Sequence, residues 1–169
     1  MGFTVNSYDQ CVANKVIDGY QCTIIWHVDD LMISHANEDV VTEVIKELES
    51  VYGELKATRG NMHTFVGMDI KYNEDGSVTF DMSDHVNDIF EMFPEDNLHT
   101  RANPAAFYLY KVDEKAEQLD ENKRKLFFSL VMKLMFICKR RRPDISTPIA
   151  FLSTRIQNAD VDDWKKLRR

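Results

Sequence analysis

Cysteine, glycine and proline are all scarce in this 169-residue chain, and no apolar run is long. The three cysteines, Cys11, Cys22 and Cys138, are odd in number and scattered, with no C-x-x-C pair. That excludes a disulfide framework and a zinc cage, and fits free, mostly buried thiols in a reducing intracellular compartment. Only 6 Gly and 4 Pro argue against long disordered linkers, and no repeat or low-complexity tract is present. The longest apolar run, residues 126–138, contains Ser129 and Lys133 and is too short to span a bilayer, so no membrane partner is expected. The first six residues lack the basic start and apolar core of a signal peptide. Asn6 also breaks the myristoylation pattern.

What is present is ordinary for a globular domain: 44% hydrophobic and 29% charged residues, in a length that suits one domain with a real core. Basic residues are rare early in the chain. Residues 1–121 hold 8 Lys/Arg against 24 Asp/Glu, whereas residues 122–169 hold 13 against 4. Lys133, Lys139, Arg140, Arg141 and Arg142 lie in this basic part. A basic stretch beside an acidic one is the footprint of phosphate-backbone binding, or equally a solvated face that pairs with the acidic part.

The most pointed local feature is residues 22–36, CTIIWHVDDLMISHA. Asp29 and Asp30 sit between two apolar, strand-forming runs, which predicts a hairpin with the acid pair as its two-residue tip. Unpaired carboxylates there can hold Mg²⁺, a hard cation bound by one or two carboxylates together with substrate phosphates. Two such ions can clamp the attacking and leaving oxygens of a phosphoryl transfer. The plain alternative is a solvated turn, since Asp is a common turn residue. Asp162-Asp163 read that way, as the acidic first turn of a helix.

Elsewhere, residues 3–12 read as a helix end followed by a strand. Asn37 caps a helix that runs to about residue 52 and stops at Gly53. Residues 63–72 (HTFVGMDIKY) predict a strand, 73–76 a turn and 77–82 a returning strand. Ser83 is expected to cap a short helix with Val86, Ile89, Phe90 and Phe93 on its apolar face, ended by Pro94. Residues 94–120 read as a polar connection with aromatics at Phe107, Tyr108 and Tyr110. Asn122 is expected to cap a helix to about Lys139, apolar nearly all round and so buried. Thr147 and Pro148 begin another helix, to about Gln157, and Asp160 begins a last one. Strands followed by gathered helices make an α+β chain.

In this order the motifs resemble the reverse transcriptase of copia-type LTR retrotransposons. Gly2-Phe3 with Tyr8-Asp9-Gln10-Cys11 resembles the family's GF…YD…C segment. Residues 26–31 (WHVDDL) resemble YVDDL, and Phe65-Val66-Gly67-Met68 resembles FLGM. Residues 128–134 (FSLVMKL) resemble YRSLVGKL, Arg142-Pro143-Asp144-Ile145 resembles RPDI, and Trp164 to Leu167 resembles the W..L leading toward RNase H. Several short motifs in register are far more specific than any one.

The resemblance implies a partial palm over residues 1–93, carrying the acidic hairpin, a helix and a primer-grip-like hairpin. A connection over 94–121 and thumb-like helices over 122–169 would follow. It implies an RNA-directed DNA polymerase with Mg²⁺ (or Mn²⁺), Asp29 as a direct ligand and Asp30 beside it. Phe65, Gly67 and Met68 would hold the primer end, with Phe65 and Met68 alternatively plain core residues. Lys133, Lys139, Arg140, Arg141 and Arg142 would meet an RNA or DNA template–primer duplex, with Lys133 alternatively a charge snorkelling off a buried helix. The implied partners are that duplex, a dNTP and the rest of a polymerase/RNase H polyprotein, in a cytoplasmic particle or the nucleus.

Two residues depart from the family pattern: His27 stands where Tyr is usual, and Met132 where the thumb motif has Gly. The family's first catalytic Asp and its fingers would lie before this stretch, so the isolated chain is expected to be inactive. The alternative is a degenerate remnant that acts only as a nucleic-acid-binding module.

Overall fold

The computed structural model describes residues 1–94 and 101–169. Part of the predicted 94–120 connection, residues 95–100, lies outside the described residues. The chain is α+β, as its pattern predicts, and divides into two compact units, Met1–Asp81 and Met82–Arg169.

In the first unit four antiparallel strands form a meander, β1 Thr4–Val5, β2 Val12–Ile17, β3 Tyr20–His27 and β4 Asp30–Ser34, in that spatial order. Residues 3–12 therefore hold a short strand and a turn, not a helix end. The β2–β3 connection is Asp18-Gly19, both at positive φ (52° and 81°), the backbone a two-residue type I′ hairpin demands.

Helix α1, Glu38–Tyr52, follows. Asn37 caps it by accepting from the Asp39 N–H at 2.9 Å, and Gly53 at φ 87° ends it. Val40, Val44 and Leu48 recur on one face and pack on Cys22 and Ile24 of β3, ringed by Phe3, Ile17, Trp26, Ile33 and Leu55. Each such side chain contributes about 1.5–3 kcal/mol on burial. The same burial pushes the Cys22 thiol pKa up, as the reading of buried free thiols expects.

A second antiparallel sheet, β5 Met62–Phe65, β6 Met68–Tyr72 and β7 Val78–Asp81, completes this unit. Residues 63–72 are thus two strands folded about Val66-Gly67, not one. Gly67 supplies a positive φ (71°) that Val66 (51°) shares. An apolar run on both sides of the turn hid the reversal.

The second unit is helical: α2 Ser83–Met92, α3 Glu121–Arg140, α4 Ser146–Arg155 and α5 Val161–Leu167. Three corrections concern its termini and faces. Ser83 is the first helical residue, with Met82 at the cap. Asp120, not Asn122, caps α3, accepting from the Lys123 N–H at 2.9 Å. Phe90 is exposed, and Ile89 is the buried residue of α2. Asp160 does cap α5, as expected, in a reciprocal box with Asp163. Phe127, Leu130 and Val131 of α3 and Leu152 of α4 are fully buried. No helix is long and apolar enough to cross a membrane among the described residues.

Candidate functional site at the acidic hairpin

The β3–β4 hairpin pairs Ile25 with Met32, Trp26 with Leu31 and His27 with Asp30. Its connecting residues are therefore Val28-Asp29, one position earlier than the acid pair itself. Asp29 is a loop residue and Asp30 opens β4. Cross-strand pairing sets this register at a cost in the turn. Val28 takes a positive φ of 57°, a region costly for a β-branched side chain.

Successive side chains of a strand alternate faces. Ile24, Trp26 and Ile33 face the α1 core, so His27 and Asp30 share the opposite face at the end of the hairpin. Residues 27–30 are all exposed, Val28 at 89%. Neither the Asp29 nor the Asp30 carboxylate has a hydrogen-bond or ion-pair partner among the described residues. All four carboxylate oxygens are open to solvent or to a cation.

Two adjacent free carboxylates fit one hard cation completed by phosphate or water oxygens. Two ions side by side need more anionic ligands than the hairpin has, and no group of three His, Cys, Asp or Glu poised for a metal stands among the described residues. Asp9 is engaged elsewhere, accepting from the Cys11 N–H at 2.9 Å.

Phe65 and Met68 are cross-strand partners that close the Val66-Gly67 turn. They are half-buried and share a face with buried Ile70. Gly67 sits in the turn itself.

The predicted cationic surface is partly consumed inside the second unit. Lys133 of α3 reaches Asp88 of α2 at 3.5 Å. Arg140 lies over the Phe136 ring, 3.7 Å from its centroid, and that ring also meets His85. Arg142 grips Asp144 with two bonds of 2.8 Å. The pairing raises the Arg142 pKa and holds the Asp144 carboxyl below its usual range, chiefly through the side-chain hydrogen bond. Lys139 and Arg141 are exposed and have no carboxylate partner among the described residues. Counted by unit, residues 1–81 carry 5 Lys/Arg and 14 Asp/Glu, and residues 82–169 carry 16 and 14. The strong contrast drawn at residue 121 becomes −9 against +2 when the boundary follows the fold.

One cluster went unread in the linear chain. Asp163 is fully buried and accepts from Arg155 Nε at 2.9 Å and Lys166 Nζ at 3.3 Å. Arg155 also reaches Asp160 at 3.2 Å, and Lys166 donates to the Lys111 carbonyl at 2.6 Å. The Arg155 pKa is raised, first by its hydrogen bond to Asp163. This network ties α4, α5 and the 101–120 segment together. The Asp160-x-x-Asp163 spacing signalled the cap, while the partners Arg155 and Lys111 are too distant in sequence to be seen.

No family model, no curated protein and no solved structure matches the chain.

Proposed function

We propose that this chain is the acidic-hairpin portion of a copia-type retrotransposon reverse transcriptase. Residues 1–93 would be its partial palm and residues 122–169 its thumb-like helices, acting within a longer polyprotein. The observation that carries the reading is the pair Asp29 and Asp30, exposed and unpartnered at the end of a hairpin anchored by the α1 core. Bound Mg²⁺ or Mn²⁺ would supply the charge neutralisation that nucleotidyl transfer requires. In this chain Asp29 and Asp30 would hold the cation and the α1 core would fix their direction. Phe65, Gly67 and Met68 would border the primer end, where misplacement by about 1 Å costs about a hundredfold in rate.

Two carboxylates are too few for a two-metal centre, so the chain alone is expected to be inactive in primer extension on an RNA template. Metal binding is a separable test. Titrating Mn²⁺ into labelled protein should broaden the amide signals of residues 27–31 before any others. The Asp29→Asn/Asp30→Asn variant should lose that selectivity. Uniform broadening in the wild type would sink the metal reading, and robust extension by the chain alone would sink the prediction of inactivity.

The second reading, a remnant that only binds nucleic acid, is favoured by exposed Lys139 and Arg141. With Lys133 and Arg142 already paired, it implies a shallow salt dependence, of about two phosphate contacts.

A further inference from the structure

His35 stands between Ser34, the last residue of β4, and Asn37, the cap of α1. Both of its ring nitrogens meet backbone. Nε2 lies 3.1 Å from the Ile17 carbonyl, 18 positions away at the end of β2. The Asn37 N–H donates to Nδ1 at 3.0 Å. The Asn37 carbonyl stands farther from the same nitrogen, at 3.3 Å. Tyr20 of β3 meets the ring edge to face, with centroids 6.2 Å apart, and His35 is half-buried.

These contacts select one tautomer. A carbonyl only accepts, so Nε2 carries a proton, and an N–H only donates, so Nδ1 is bare. The ring is therefore neutral in this arrangement. A second proton has one place to go, Nδ1. There it removes the acceptor of the Asn37 N–H and sets one N–H against another. It also turns the approach of the Asn37 carbonyl from lone pair against lone pair into donor against acceptor. The two charge states of the ring thus favour different groups of one residue.

We propose that His35 is a proton-operated latch at the entry to α1. Neutral, it joins the Ile17 carbonyl to the Asn37 N–H; protonated, it keeps Ile17, releases the Asn37 N–H and takes the Asn37 carbonyl instead. The change is local. The cap bond from the Asp39 N–H to Asn37 Oδ1, 2.9 Å long, does not involve the ring. Val40, Val44 and Leu48 keep their packing on Cys22 and Ile24. What alters is the path by which the chain leaves the sheet and enters the helix that backs it.

The titratable groups on the surrounding elements are Asp18 and Tyr20 of the β2–β3 hairpin and Glu38 and Asp39 in the first turn of α1. Lys15 of β2 is turned to the Met1 carbonyl and the Phe3 ring. Carboxylates, phenols and ammonium groups ordinarily change charge outside the range of about pH 5–8, and an imidazole changes within it. His35 is the side chain of this neighbourhood built to respond there. The latch stands apart from any cation or nucleic acid at the acidic hairpin.

Nitrogen-15 NMR of the full chain tests it. At about pH 8, where an imidazole is ordinarily neutral, His35 should show a bare Nδ1 and a protonated Nε2. As the pH falls, the Asn37 amide should shift together with the His35 ring and with the same midpoint. Its protection against exchange, corrected for the intrinsic rate, should drop about two- to tenfold, the net worth of one hydrogen bond. Protection of the Asp39 amide should stay constant. His35→Gln has no ring to titrate and should abolish the acid response at Asn37, with circular dichroism reporting that the variant is folded. A protonated Nδ1 in the neutral ring, an Asn37 amide indifferent to the titration of His35, one that follows a different histidine, or an acid response that survives in folded His35→Gln would each overturn the proposal. The first three are read from the wild type, so a variant that fails to fold leaves the test intact.

Discussion

Val28 and Val66 each occupy the first turn position of a hairpin at positive φ, 57° and 51°, where a left-handed backbone costs an L-residue roughly 1–2 kcal/mol. Val28 is 89% exposed, so its side chain contributes little packing in return. Val28→Gly should raise the urea midpoint, with a net gain of up to about 1 kcal/mol after the entropy of glycine is subtracted. A lowered midpoint would mean that the side chain makes a contact worth more than the strain. Asp144 gives a prediction with a defined sign. Its carboxyl sits below the ordinary 3.8 because Arg142 donates to it. A depressed carboxylate contributes stability that is full above the unfolded value and is lost as pH falls through the folded one. Protonation therefore releases Arg142 only below pH 3.8. Arg142→Ala should raise the Asp144 midpoint toward its ordinary value in a carbon-detected NMR titration, with that of Asp162 unchanged. Asp162 makes a suitable control because its own low value comes first from Lys165.

The elements differ in how far they could be read beforehand, and the difference is physical. Helix α1 was legible to the residue because three independent signals agree: an Asn cap, an i, i+4 apolar stripe and a Gly stop. Signals of that kind are local, and so is the structure they dictate. The Asp18-Gly19 turn was equally local, and two-residue D-G is a strong hairpin signal. The acid pair ten residues beyond Gly19 is the more conspicuous hairpin signal, and the strand Val12–Ile17 before the Asp18-Gly19 turn carries none as clear. The 63–72 run failed for a different reason. Val66 is β-prone and sits at a turn position that disfavours it, so propensity pointed to a continuous strand while the sheet required a reversal. At the candidate site the hairpin and its acids were legible, but the one-residue offset of the tip was not. Register is set by cross-strand pairing, and Val28 bears the strain that a tip at Asp29-Asp30 would have avoided. Lys133 and Arg142 were legible as cations but not as paired ones, since Asp88 lies on another helix and the Asp144 bond depends on side-chain geometry.

At the scale of the whole molecule, each compact unit has its own core and a single tryptophan. Trp26 lines the α1 core of the first unit, and Trp164, only 4% exposed, packs near Phe93 and under the Lys123 ammonium in the second. The two fluorophores can therefore be read as separate reporters of the two cores. Leu48→Ala removes a buried side chain from the first and should cost about 2–5 kcal/mol there. Asp163→Ala strands Arg155 and Lys166 in the second, and breaking a buried ionic network by removing one partner costs roughly 3–5 kcal/mol. Denaturation of single-tryptophan versions, Trp26→Phe and Trp164→Phe, assigns each signal. Leu48→Ala should lower the midpoint reported by Trp26 and leave that of Trp164 in place, and Asp163→Ala should do the reverse. If both reporters move together in both variants, the chain unfolds as one cooperative block and the division at Asp81/Met82 has no energetic counterpart. If they move apart, the acidic hairpin can be destabilised without disturbing the helices that carry Lys139 and Arg141. The metal binding proposed for the hairpin and the nucleic-acid binding proposed for the helices could then be tested one at a time.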